Sequence, residues 1–225
     1  MENQDKSQDK RLQELMSMLQ WSNRPNEHAK FKIRGEEAKY AQELLLHTYA
    51  SKVKNRIGSV DVEIEKAYLD SCVRWMTDDT YKPSLMLYGT PGTGKTTFMS
   101  SMYDIYNQMY SNNIRYHFRY EKASELGIIA KNDPDRYKEL KNATILFIDD
   151  LGFNGESEMV NDYGVKRRPI EEIIEYRYDK MRATCCTSNL TQQEIRAKYG
   201  ERIYSRMCEQ FAFVAITGVD HRMTK

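Results

Sequence analysis

Residues Gly89-Thr90-Pro91-Gly92-Thr93-Gly94-Lys95-Thr96 carry glycines, a lysine and a threonine at the spacing G-x-x-x-x-G-K-T. The chemistry this suits is the holding of a polyphosphate. Glycines let backbone N–H groups turn inward, and a helix starting at the lysine adds the positive end of its dipole. The cradle is expected to run from Gly89 to Thr97, with Lys95 neutralising the β- and γ-phosphates and the Thr96 hydroxyl ligating Mg²⁺. A second group follows in Ile145-Leu146-Phe147-Ile148-Asp149-Asp150, an apolar run that delivers two carboxylates to the edge of a sheet. Asp149 is expected to hold Mg²⁺, directly or through water, and Asp150 to polarise an attacking water. Asp150 reaches about one methylene less far than the glutamate many such ATPases use, so turnover is expected to be slow or to need a partner. Thr187-Ser188-Asn189 ends a further apolar run, where the Asn189 amide would hold the γ-phosphate or the water. These residues together predict an ATPase whose cofactors are ATP and Mg²⁺.

Such groups need a scaffold that brings several strand ends together, and the flanking patterns supply one. Leu85-Met86-Leu87-Tyr88 reads as the strand feeding the phosphate loop, and Lys95 to about Tyr110 as the helix leaving it. Further strands are predicted at Ile114–Tyr120, Ala143–Ile148, Ala183–Thr187 and Phe211–Ile216. Helices are predicted at Lys122–Lys131, Pro134–Lys141, Ile170–Met181 and Gln192–Cys208. Strands alternating with helices imply an α/β fold with a parallel sheet covered on both faces. Ligands of such sheets bind at the carboxyl ends of the strands, where both acidic residues fall.

Ahead of this lies a stretch whose Leu12, Leu15, Met16 and Leu19 predict a short amphipathic helix. A second helix is predicted over Glu36–Lys54, with Leu45, Tyr49 and Val53 on one face. Residues 1–60 are thus expected to form a small helical region, either packed on the main domain or serving to dock a partner, and residues 61–225 the ATPase domain. Lys30, Lys32 and Arg34, then Lys52, Lys54 and Arg56, read as a solvated face rather than phosphate contacts. The polar stretch 155–168, with Lys166-Arg167-Arg168, is either a loop facing DNA or a solvated insertion. His117 reads as a strand residue, not a ligand.

The chain has 225 residues and a formal net charge of +1, so no global field marks it for nucleic acid or membrane. Its four cysteines lack C-x-x-C spacing, which excludes a readable zinc module or redox pair. Cys185 and Cys186 are expected as buried thiols of a reducing cytosol. No run reaches membrane-spanning length, and a cytoplasmic protein without membrane association is expected.

The phosphate loop, Asp149-Asp150, Asn189 and the segment Tyr199-Gly200-Glu201-Arg202-Ile203-Tyr204-Ser205-Arg206-Met207 resemble the AAA+ ATPases of the DnaC/IstB group over about residues 61–223. That group contains replicative-helicase loaders and ATP-dependent transposition helpers. The resemblance implies a five-stranded P-loop NTPase sheet of order 5-1-4-3-2 without a C-terminal helical lid. It implies a homo-oligomer formed on ATP and DNA, in which Arg206 reaches the nucleotide of a neighbouring subunit. Arg202 would support that arginine, and Arg222 would lie close to the nucleotide. The spacing agrees, since arginines at i and i+4 share a helix face and a guanidinium suits phosphate oxygens. The partners implied are DNA, chiefly single-stranded, with either a replicative helicase or, in the IstB-like alternative, a transposase and duplex DNA. A small-molecule kinase is the third reading, disfavoured because paired carboxylates with an amide suit a water-using ATPase better.

Overall fold

Five strands pair side by side in one parallel sheet: β1 (Ser84–Gly89), β2 (Phe118–Lys122), β3 (Ile145–Asp149), β6 (Ala183–Ser188) and β7 (Phe211–Ile216). The computed structural model describes residues 31–58, 66–113, 116–153, 159–162 and 165–218. Spatial order is β2-β3-β6-β1-β7, which is 5-1-4-3-2 when the sheet strands alone are numbered along the chain. The phosphate-loop strand therefore sits between β6 and β7, and the strand ending in Asp149 lies one further along.

Alternation along each strand sorts side chains to two cores. Leu85, Leu87, Ile145, Phe147 and Cys185 enter one core, with α1 (Ala41–Ile57), α2 (Lys66–Thr77) and α3 (Lys95–Met109). Met86, Leu146, Ile148 and Cys186 enter the other, with α4 (Ala123–Asn132), α5 (Pro134–Asn142), α6 (Pro169–Asp179) and α7 (Gln192–Gln210). Cys72, Cys185 and Cys186 are buried, as expected of inert thiols, and burial pushes each thiol pKa up. The second face is locked by Arg177, which is fully buried on α6. Its guanidinium donates to the Leu140, Lys141 and Ala143 carbonyls at the end of α5, to the Ala183 carbonyl and to Thr184 Oγ1. A buried guanidinium is tolerable because these acceptors satisfy it.

Several expectations change. Contacts divide the chain between Lys30 and Phe31, so the described half of the expected 1–60 region packs with the sheet. Phe31, Ile33, Leu45, Tyr49 and Val53 belong to the first core. The helix expected over Leu12–Leu19 lies outside the described residues. Lys32, expected on a solvated face, is buried: its ammonium donates to the Trp75 carbonyl and lies over the Phe31 and Trp75 rings. Strand β2 begins at Phe118, later than expected, because the Tyr116 N–H turns back to the Asn113 carbonyl and the Phe118 N–H is taken by Asn107 Oδ1. His117 accordingly precedes the strand, with Nε2 2.8 Å from the Tyr110 carbonyl. The polar stretch before α6 contains a small antiparallel hairpin, β4 (Val160–Asp162) and β5 (Val165–Arg167). Finally, α7 is kinked at Gly200 (φ 81°, ψ 166°), which re-aims the half carrying Arg202 and Arg206.

Burial lowers the Lys32 pKa from its ordinary 10.5 to about 8, against the raising influence of nearby groups that include Asp79 and Asp78. Below pH 8 the native state bears the whole cost of a buried charge, and that cost vanishes as pH rises through the unfolded value. Wild-type stability relative to Lys32→Met should therefore climb between pH 8 and 10.5, by on the order of 3 kcal/mol, in urea unfolding at a series of pH values. A flat difference would mean that the ammonium is solvated.

Candidate active site

Strand β1 ends at Gly89, and the chain turns through the loop into α3. Both turns demand glycine. A Cβ at Gly89 (φ +129°) would stand 2.4 Å from the Ile216 carbonyl oxygen of β7. One at Gly94 (φ +90°), the residue capping α3, would stand 2.5 Å from the Tyr49 hydroxyl. Tyr49 comes from α1 and is buried against Phe98, so it is poorly placed to yield. Beside it, Lys52 of α1 pairs with Asp104 of α3 at 2.5 Å. Sequence reasoning put Tyr49 on a packing face but missed its contact with the phosphate loop.

Within the loop, Thr93 Oγ1 donates to the Thr90 carbonyl at 2.8 Å, while Thr90 and Pro91 are exposed at the tip. Lys95 is only 4% exposed. Its ammonium lies inside the turn, donating to the carbonyls of Gly89 at 2.9 Å and Thr90 at 2.7 Å. It thereby stands inside the loop at the positive, N-terminal end of α3.

Next to the loop, three hydroxyls converge on the buried carboxylate of Asp149. Thr96 Oγ1 donates to Oδ1 at 2.9 Å, Thr187 Oγ1 donates to the same oxygen, and the Tyr120 hydroxyl donates to Oδ2 at 3.2 Å. Thr187 also accepts from the Asp150 N–H at 3.0 Å, tying β6 to the end of β3. Asp150 itself is exposed and left-handed (φ 55°), a conformation aspartate tolerates better than most residues, which gives the shorter acid a backbone reason to be there. The turn is closed by the Leu151 N–H on the Thr187 carbonyl and by Ser188 Oγ on the Leu151 carbonyl. Asn189 follows Ser188, whose register partner is Tyr88, so it stands exposed at the carboxyl edge level with Gly89. Thr187 and Tyr120 are the site residues that sequence reasoning missed. Thr187 was within the flagged Thr-Ser-Asn run, whereas Tyr120 gave no signal beyond its place in a strand.

The pair Thr96 and Asp149 offers hard oxygen donors of the kind Mg²⁺ takes alongside phosphate oxygens and water, and their 2.9 Å approach fits one cation's coordination shell. Among the described residues, no group of three or more His, Cys, Asp or Glu is arranged to hold a metal, so a cation here would rely on the nucleotide for further ligands.

The two arginines of α7 are not gathered into this cluster. Arg206 donates to Glu175 Oε1 of α6 at 2.6 Å, lies 3.9 Å from Asp179 and stacks over Tyr178. Arg202 approaches the same Glu175 oxygen at 3.0 Å and is largely exposed. Arg222 lies outside the described residues. At Gly218 the chain leaves β7 beside Thr93. In the basic triplet, Arg167 is bidentate to Glu172 and Arg168 pairs with Glu171, while Lys166 is exposed. No helix among the described residues is long and apolar enough to cross a membrane.

This arrangement is similar to known structures. The DnaC helicase loader aligns over 72% of this chain and 95% of its own, at 21% identity and a TM-score of 0.52. DnaI aligns over 73% and 89%, at 22% identity and 0.55. The replication initiator DnaA, bound to AMPPCP and single-stranded DNA, aligns over 72% and 49%, at 16% identity and 0.52. The chain shares the fold of these structures, a five-stranded parallel sheet flanked by helices with a phosphate loop after β1. By sequence, the family described as Nephrocystin 3, N-terminal, matches residues 69–129, which take in β1, the phosphate loop, α3 and β2. No curated protein matches the chain.

The contact at Gly94 is open to test. Gly94→Ala should abolish binding of a fluorescent ATP analogue and lower stability by about 1–3 kcal/mol, from the left-handed backbone and the collision with Tyr49. Adding Tyr49→Phe should recover part of the stability. No recovery would mean the ring yields and backbone strain alone is responsible.

Proposed function

We propose that the protein is an ATP-hydrolysing assembly switch in DNA replication, loading a replicative helicase onto single-stranded DNA. The observation that carries the reading is the meeting of Lys95, Thr96 and Asp149 at the sheet's carboxyl edge while Arg206 is held elsewhere, on α6. In this reading the phosphate-holding half of a hydrolytic centre lies at that edge and the arginine half beside α6. Likeness to structures of helicase loaders and of an initiator with single-stranded DNA supports the choice of process and partner.

In this reading the loop N–H groups and Lys95 bind the triphosphate, and Thr96 with Asp149 hold Mg²⁺. Bound there, the cation would neutralise charge on the β- and γ-phosphate oxygens. Asp150 orients the attacking water and accepts its proton, and Asn189 steadies the γ-phosphate. Arg206 leaves Glu175 to meet the nucleotide of an adjoining copy, so ATP favours assembly and hydrolysis loosens it. The N-terminal region, residues 1–60, docks the helicase.

Two substitutions test this. Lys95→Ala should remove nucleotide binding in a fluorescence titration. Arg206→Ala should keep wild-type nucleotide affinity yet lose about a thousandfold or more of the turnover that appears at high protein concentration with single-stranded DNA. Normal turnover by Arg206→Ala under those conditions would leave this arginine with only its pairing to α6.

A further inference from the structure

Tyr120 lies on β2, an edge strand, and is 38% exposed, so water could satisfy its hydroxyl. Instead the ring lies across the sheet edge, against Phe147 at 5.0 Å and Tyr103 at 6.3 Å between centroids, and the hydroxyl reaches Asp149 Oδ2. The division of donors is uneven. Thr96 and Thr187 both use Oδ1, whereas Tyr120 donates to Oδ2. Two donors on one oxygen leave the carboxylate able to swing about that oxygen, and a third donor on the other fixes its plane. Backbone register explains the reach. Phe147 pairs with Tyr120 across the strands, and Asp149 lies two residues along from Phe147, on the same face.

We propose that Tyr120 is a positioning residue for the metal ligand Asp149, setting the plane in which that carboxylate meets Mg²⁺ in the nucleotide complex. The inference rests on the reading of Thr96 and Asp149 as the cation's protein ligands. Groups that orient a ligating carboxylate govern metal affinity more than they govern folding.

The test uses Tyr120→Phe, which deletes the hydroxyl and keeps the ring packing. Binding of a fluorescent ATP analogue is followed by anisotropy across a Mg²⁺ titration and again in EDTA, with thermal unfolding alongside. The variant should need about tenfold more Mg²⁺ to reach half-maximal binding, with affinity in EDTA and melting temperature unchanged. A Mg²⁺ midpoint equal to wild type overturns the proposal. So does weakening that is equal with and without Mg²⁺ and accompanied by a lowered melting temperature, since that marks a packing role. If wild-type binding is itself indifferent to Mg²⁺, the assignment of Thr96 and Asp149 falls first and Tyr120 falls with it. A Mg²⁺-dependent wild type beside an unshifted variant sinks the Tyr120 assignment alone.

Discussion

A carboxylate enclosed by protein is tolerated only if hydrogen-bond donors replace its water, and Asp149 meets that condition with hydroxyls from three separate elements. Thr96 lies in the first turn of the helix after the phosphate loop, Thr187 near the end of β6 and Tyr120 on β2. None of these segments is near Asp149 in sequence, and each must be in register for the charge to be affordable. The parallel sheet exists, in this sense, to deliver those ends to one edge. A one-residue slip of β6 would swing Thr187 to the other face and leave the carboxylate short of a donor.

The sheet itself was legible. Runs such as Leu85–Tyr88 and Ile145–Ile148 are too short for helices and too apolar for one-sided strands, so only strands buried on both faces fit them. The phosphate loop and the two acids were also legible, because spacing alone locates them. Strand order came from resemblance, since alternating strands and helices are compatible with many permutations of the same elements.

Other features were hidden for specific reasons. Lys32 reads as one charge in a basic cluster, and nothing local reveals that Phe31 and Trp75 will close over it. The kink at Gly200 had a signal, a glycine inside a helical pattern, but periodicity on both sides argued for continuity. Tyr120 and Thr187 were invisible as site residues because their roles depend on cross-strand neighbours, which sequence separation conceals. Arg206 was singled out by the resemblance of its segment, yet Glu175 was not foreseen as its partner, since the contact joins α6 to α7.

The glycines at the two ends of the phosphate loop answer to more than phosphate. Gly89 is held to its residue type by the backbone of the neighbouring strand at Ile216, and Gly94 by a tyrosine on another helix. Either would be retained by a descendant that had abandoned nucleotides altogether, because the architecture demands it. Among the described residues, the Thr96 hydroxyl is engaged by Asp149. In distant kin, then, a threonine at that position speaks for living chemistry, whereas the flanking glycines testify only to shared ancestry of shape.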